Sequence, residues 1–265
     1  MLSLIGIGLN DEKDITVKGL ELVKSADYVY LESYTSLLQC SRGDLARFYN
    51  KQIIIADRTL VESGKEILDL AVEKHVALLV VGDVFSATTH TDMWLRALKK
   101  GITVNIVHNA SVITAVGATG LELYKFGKTT SLPYWTPSYR PESTYDAIKD
   151  NQKLGMHTLV LLDIKADESR FMSIGEAIEI LERIESKRGE NVFSSSVLLV
   201  GCARLGAKDQ VIAAGTPLEL KSIDFGESPH CLIVLGTLHF IEEEALAWIK
   251  KKSENPHQQQ REDKA

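Results

Sequence analysis

Short apolar runs alternate with amphipathic stretches through the first half of the chain. Residues 2–7, 28–31, 53–56, 77–81 and 103–108 read as short, largely apolar strands. Between them lie helical patterns at 14–25, near 66–73 and at 91–100, the last with Met93, Trp94, Ala97 and Leu98 on one face. Strands alternating with helices predict α/β architecture with a largely parallel sheet. The stretch 109–117 opens with a polar residue and continues with small ones, which predicts a helix whose first amides face the same end of the sheet.

The second half is less regular. Residues 158–162, 197–200 and 231–235 read as strands. Ser173 and Glu176 form a capping box ahead of Ile174, Ala177, Ile178, Leu181 and Ile184, whose spacing fits one helix face. Ile241, Ala245, Trp248 and Ile249 mark a last helix, and the polar tail 250–265 cannot bury enough apolar surface to order itself. The boundary falls in 109–127, giving an α/β domain over 1–110, a second over 111–250 and a disordered tail over 251–265.

Composition narrows the class. Of 265 residues, 45% are hydrophobic and 25% charged, ordinary for a globular protein. With 30 basic against 36 acidic residues and a net charge of −6, a broad basic face for nucleic acid is not expected. Cys40, Cys202 and Cys231 form no C-x-x-C pair and the histidines show no metal-ligand spacing, so a reduced, cytoplasmic protein without a metal is expected. The apolar start has no basic n-region and is far shorter than a membrane span, so no membrane association is expected.

The candidate chemistry sits where strands end. Val81-Gly82-Asp83-Val84-Phe85-Ser86-Ala87-Thr88-Thr89-His90 reads strand, loop, helix, and open α/β sheets bind ligands beyond the carboxyl ends of their strands. Asp83 either caps the following turn or accepts hydrogen bonds from a cationic or hydroxyl-bearing ligand. Gly6-Ile7-Gly8-Leu9 follows the first strand, with Glu32 ending the second. A dinucleotide fingerprint would need glycine at position 11, where Asp11 stands, so a tight packing turn is the competing reading. His90, His108 and His230 lie at element ends. Ser111 lacks a G-x-S-x-G setting, and no P-loop lysine motif occurs. Tyr34, Tyr134, Trp135 and Tyr139 fall in predicted loops, where they either pack or meet an adenine ring or a sulfonium.

The stretches LIGIGLNDEKDITVKGLE, YLESYTS, VVGDVFSATTH, HNASVITAVG, GLELYKFGKT, GMHTLVLLDIK and ARLGAKDQVIAAGT, running from residue 2 to about 240, resemble the diphthine synthases. These are S-adenosylmethionine-dependent methyltransferases that modify elongation factor 2. The HNAS and RPES phrases resemble eukaryotic members. The resemblance implies a fold similar to the tetrapyrrole methylases, with two α/β domains, the methyl-donor cleft between them, and a homodimer. It implies S-adenosylmethionine as donor, S-adenosylhomocysteine as product and no metal. It also implies donor contacts from Leu9, Asp83, Ser86, Ser111, Val112, Leu162, Leu205 and His230, and assigns no catalytic residue. The protein substrate is elongation factor 2 carrying a 3-amino-3-carboxypropyl-histidine, and the eukaryotic-type product is a methyl ester reached by four transfers. Three transfers that stop at the trimethylated residue, a tetrapyrrole methylase and a non-catalytic nucleotide-binding dimer are the alternatives. One departure is Val84, where family members usually carry proline; valine loses proline's fixed φ.

Overall fold

A computed structural model describes residues 1–34 and 37–254. The first unit comprises Met1–Ala115 with Ile164–Arg170, and the second comprises Val116–Asp163 with the chain from Phe171 onward.

In the first unit the strands are β1 (Leu2–Gly6), β2 (Tyr28–Glu32), β3 (Ile54–Ala56), β4 (Val76–Val80) and β5 (Val104–Val107). They form one parallel sheet in the order β3-β2-β4-β1-β5. Successive side chains go to opposite faces. Leu2, Leu4, Tyr30, Val76, Leu78 and Val80 join one buried cluster, and Ile5, Ile7, Val29, Leu31, Ala77 and Leu79 join another. Both faces are therefore covered, which is why these strands read as nearly unbroken apolar runs.

The helices of this unit are α1 (Val17–Ser25), α2 (Arg42–Tyr49), α3 (Arg58–Ser63), α4 (Lys65–Glu73), α5 (Thr91–Lys99) and α6 (Val112–Ala115). α1 begins three residues later than the apolar pattern suggests, because the Thr16 hydroxyl caps it by accepting from the Gly19 N–H. α2 was not evident from periodicity, yet Ser41 and Asp44 form a complete capping box and Asn50 closes it in the left-handed conformation. α6 is a single turn rather than a full helix. Val112, Ile113, Thr114 and Val116 are β-branched, and Gly117 and Gly120 follow. Such residues are poor helix formers.

In the second unit β6 (Thr130–Leu132), α7 (Ser143–Lys153) and β7 (Thr158–Leu162) come first. Two short strands follow in the chain, β8 (Ile164–Lys165), which belongs to the first unit, and β9 (Arg170–Phe171), at which the chain returns to the second. Then come α8 (Ile174–Arg188), β10 (Leu199–Ala203), β11 (Val211–Gly215), α9 (Pro217–Lys221), β12 (His230–Val234) and α10 (Phe240–Glu254). The sheet order is β11-β10-β12-β7-β6, antiparallel except for β6 beside β7. The capping box of Ser173 and Glu176 is present, and the five apolar positions expected on the buried face of α8 are buried. β10 lies two to three residues beyond the expected 197–200. α10 continues through Glu254, past the expected start of the tail, and residues 255–265 lie outside the described residues.

A buried polar knot fastens α10 within this unit. Glu242 is fully buried, and its carboxylate accepts from Lys125, the Glu122 and His239 N–H groups and His157 Nε2. His157 Nδ1 accepts from the Gly236 N–H at 3.0 Å, which fixes the neutral tautomer.

Candidate active site

The loops after β1, β4 and β5 meet at the carboxyl end of the first sheet, because those strands are neighbours in the order β4-β1-β5. Gly8 and Gly82 exchange backbone hydrogen bonds of 3.3 and 2.7 Å. Gly6 has to be glycine for room: a Cβ there would lie 2.7 Å from the Gly82 carbonyl oxygen and 3.0 Å from Asn109 Cβ. Gly82 adopts φ +78°, and a Cβ on it would sit 3.8 Å from Leu9 Cδ2, the Ala110 carbonyl oxygen and Ser111 Cα alike. Leu9, the Asp83 loop and Ser111 are thus brought to one spot, with Val112 next in line.

Asp83 organises this spot. Its side chain is nearly buried and every lone-pair direction is used. Oδ1 accepts from the Phe85 N–H and the Ser86 hydroxyl, both at 3.1 Å. Oδ2 accepts from the Asn109 N–H at 3.1 Å and His108 Nδ1 at 2.8 Å. Burial pushes the carboxyl upward, but the bonds from Phe85, His108, Asn109 and Ser86 outweigh it and hold the pKa below its ordinary value. The turn-capping and ligand-binding readings of Asp83 are not exclusive: it shapes the loop and remains a carboxylate in it.

Sequence reasoning missed two residues here. Asn109 uses Nδ2 to reach the carbonyls of Gly6 and Asp14, both at 3.0 Å, tying the first loop to the fifth strand's end. His108 was noted only as a strand-end histidine, and nothing in the sequence links it to Asp83, 25 residues away. The available signal was topological, since β4 and β5 both flank β1 and the two residues close their strands. Glu32, at the end of β2, is buried and accepts from the Tyr34 N–H at 3.0 Å. His90 is buried at the start of α5.

Leu162, Leu205 and His230 gather in the second unit by the same logic. Leu162 ends β7, Leu205 follows β10 by two residues, and His230 begins β12 opposite Ala203. Because β12 runs antiparallel to both neighbours, all three occupy one end of that sheet. His230 Nε2 lies 3.1 Å from the carbonyls of both Gly226 and Glu227, so it carries the proton. Nδ1 is then a buried acceptor with no hydrogen-bond partner among the described residues. Burial lowers the His230 pKa and keeps the ring neutral. A buried, unsatisfied lone pair needs a donor, and an adenosine, with an amino group and ribose hydroxyls, supplies one. In the first unit, taken by itself, the small-residue loops and the buried Asp83 carboxylate suit a cationic ligand group. Each of these two sets of residues, considered separately, offers chemistry that S-adenosylmethionine can use. Among the described residues no cluster of His, Cys, Asp or Glu could hold a metal ion, and no helix is long and apolar enough to cross a membrane.

Comparison with known proteins gives the family. The family model described as Tetrapyrrole (Corrin/Porphyrin) Methylases matches residues 1–220. The diphthine methyl ester synthase of Saccharomyces cerevisiae is 49% identical, covering 89% of this chain and 84% of its own. That of Homo sapiens is 47% identical, covering 93% and 94% respectively. A crystal structure of a diphthine synthase superposes with a TM-score of 0.86 at 38% identity over 94% of this chain and 96% of that one. A candidate diphthine synthase from Entamoeba histolytica superposes with a TM-score of 0.88 at 46% identity, over 94% and 98%. The chain has the tetrapyrrole methylase fold and is a methyltransferase that belongs to the diphthine methyl ester synthases.

Proposed function

We propose that this enzyme uses S-adenosylmethionine to methylate the 3-amino-3-carboxypropyl-histidine of elongation factor 2, in four transfers ending at the methyl ester. Membership of the diphthine methyl ester synthases, at 46–49% identity over most of the chain, carries the reading. When bound, the donor supplies an electrophilic methyl group on a sulfonium that leaves as a neutral thioether, so no leaving-group acid is needed.

The chain's own residues bind and orient. In the first unit, Leu9, Asp83, Ser86, Ser111 and Val112 are proposed as donor contacts, with the Asp83 carboxylate favouring a nearby cation. In the second unit, Leu162 and Leu205 offer apolar surface and His230 Nδ1 accepts a donor-molecule proton. A primary amine is mostly protonated near neutral pH, with a pKa of about 8 to 10. The site must hold it neutral and in line, and orientation alone can supply about 7–11 kcal/mol in favourable cases.

The enzyme is further proposed to be a cytoplasmic homodimer, in keeping with its free cysteines. Light scattering at micromolar protein should give twice the 29.3 kDa chain mass, and a monomer mass would refute it. The functional test is methyl transfer to elongation factor 2 isolated from cells lacking this enzyme. Transfer is expected to the modified factor and not to factor without the aminocarboxypropyl group. Methylation of a tetrapyrrole in its place would overturn the assignment.

A further inference from the structure

We propose that His108 is the general base of the nitrogen-methylation steps, taking the amine proton onto Nε2. This rests on the functional reading above and goes beyond it by assigning a catalytic residue.

The geometry is that of an oriented imidazole. His108 Nδ1 lies 2.8 Å from Asp83 Oδ2. A carboxylate only accepts, so Nδ1 carries a proton, and in the neutral ring the lone pair is on Nε2. The ring is held at its back by a carboxylate that three further hydrogen bonds lock in place, and Phe85 packs edge-on against it at 6.3 Å. Its face is open: the side chain is 70% exposed. His108 directly follows β5, three residues before Ser111, at the sheet end where the proposed donor contacts converge. Of the groups described against its ring, Asp83 is ionisable and Phe85 is not.

Proton accounting explains why a base belongs here. The amine arrives as an ammonium and must lose a proton before it can attack. Each attack forms a C–N bond, breaks a C–S bond and leaves a cationic nitrogen. Three nitrogen transfers therefore release three protons in all, and the nitrogen ends as trimethylammonium. In the fourth transfer a carboxylate oxygen forms the C–O bond as C–S breaks, and no proton is released. A base is needed for the first three steps and has nothing to do in the fourth. An Asp-supported imidazole takes each proton on Nε2 and returns it to water, with Asp83 stabilising the imidazolium that forms.

The test compares wild type with His108→Gln and His108→Ala on two substrates: elongation factor 2 carrying the unmethylated aminocarboxypropyl group, and the trimethylated factor obtained by mild base hydrolysis of the ester product. Loss of a general base should slow nitrogen methylation about 100-fold at pH 7. Ester formation on the trimethylated factor should slow far less, and donor affinity by calorimetry should stay within about threefold, since no charge-assisted donor contact is removed. The nitrogen-step defect should shrink as pH rises towards the amine's own range of about 8 to 10, where free amine forms unaided. Slowing of all four transfers by one factor, or nitrogen methylation unchanged in a folded variant, would overturn the proposal. A wild-type enzyme that adds no methyl group to the modified factor would overturn the functional reading, and this proposal with it.

Discussion

Replacing Asp83 with asparagine tests the organisation of the site with little change of shape. The amide keeps one oxygen and turns the other into a donor. If the NH2 group takes the place of Oδ2, it confronts the Asn109 N–H 3.1 Å away; if it takes the place of Oδ1, it confronts the Phe85 N–H at 3.1 Å. Either rotamer sets a donor against a backbone donor. Hydrogen bonds to a charged group are each worth about 1.5–3 kcal/mol net, so losing one and weakening the others costs about 2–4 kcal/mol of stability. The negative charge also disappears from the loop, and with its through-space attraction for a nearby cation gone, donor affinity should fall about 10-fold. The pH dependence has a defined sign. Asp83 has a depressed pKa when folded, so its contribution is present above the unfolded carboxyl range and is lost as pH falls through the folded value. The stability gap between wild type and Asp83→Asn should be full at neutral pH and close below about pH 4. Calorimetric titration with S-adenosylmethionine and thermal melts across pH check both effects. Unchanged donor affinity in a variant that melts like wild type would refute the role given to Asp83.

Glu242→Ala should destabilise the second unit by about 3–5 kcal/mol, because it leaves Lys125 and the buried His157 without their shared partner. The Glu242 carboxyl is buried, which raises its pKa, but Lys125, the His239 and Glu122 amides and His157 together bring it from 4.5 down to about 2. At about 1.4 kcal/mol per unit this gives about 3.5 kcal/mol, held at neutral pH and lost as pH drops from about 4.5 towards 2. Acid melts in which wild type and variant stay equally far apart at pH 7 and pH 2.5 would contradict that. His230→Phe should weaken donor binding about 10-fold or more in a variant that still melts cooperatively, since it deletes the buried Nδ1 acceptor along with the Nε2–H bonds to the Gly226 and Glu227 carbonyls; equal affinity would remove His230 from the site. Gly6→Val should fail to fold or to bind donor, because its Cβ meets the Gly82 carbonyl oxygen at 2.7 Å; a soluble variant with wild-type affinity would show that the loops can part.

The first unit was legible because its strands are buried on both faces and its ligand loops follow strand ends. The apolar runs gave β1, β2, β4 and β5 to within a residue or two, and Gly6, Gly82 and Asp83 marked the turns. Strand order was not legible, and with it went the Asp83–His108 pair, which depends on β4 and β5 flanking β1. In the second unit antiparallel pairing makes long-range order harder to read. β11 and α9 escaped notice, although Thr216, Pro217 and Glu219 carry a full helix-start signal. The gathering of Leu162, Leu205 and His230 came from resemblance alone; its physical basis, the ends of three antiparallel neighbouring strands at one end of the sheet, is visible only in the folded chain. The lone pair left on His230 Nδ1 could not have been inferred without knowing that two carbonyls face Nε2.

The most direct test of the central claim is the intact mass of elongation factor 2 from cells lacking this enzyme, incubated with purified enzyme and excess S-adenosylmethionine. The account predicts a final product heavier by four methyl groups, one of which mild base removes as the ester is hydrolysed. A product that stops at three methyl groups and resists mild base would contradict ester formation, and no mass change would contradict the enzyme's assignment altogether.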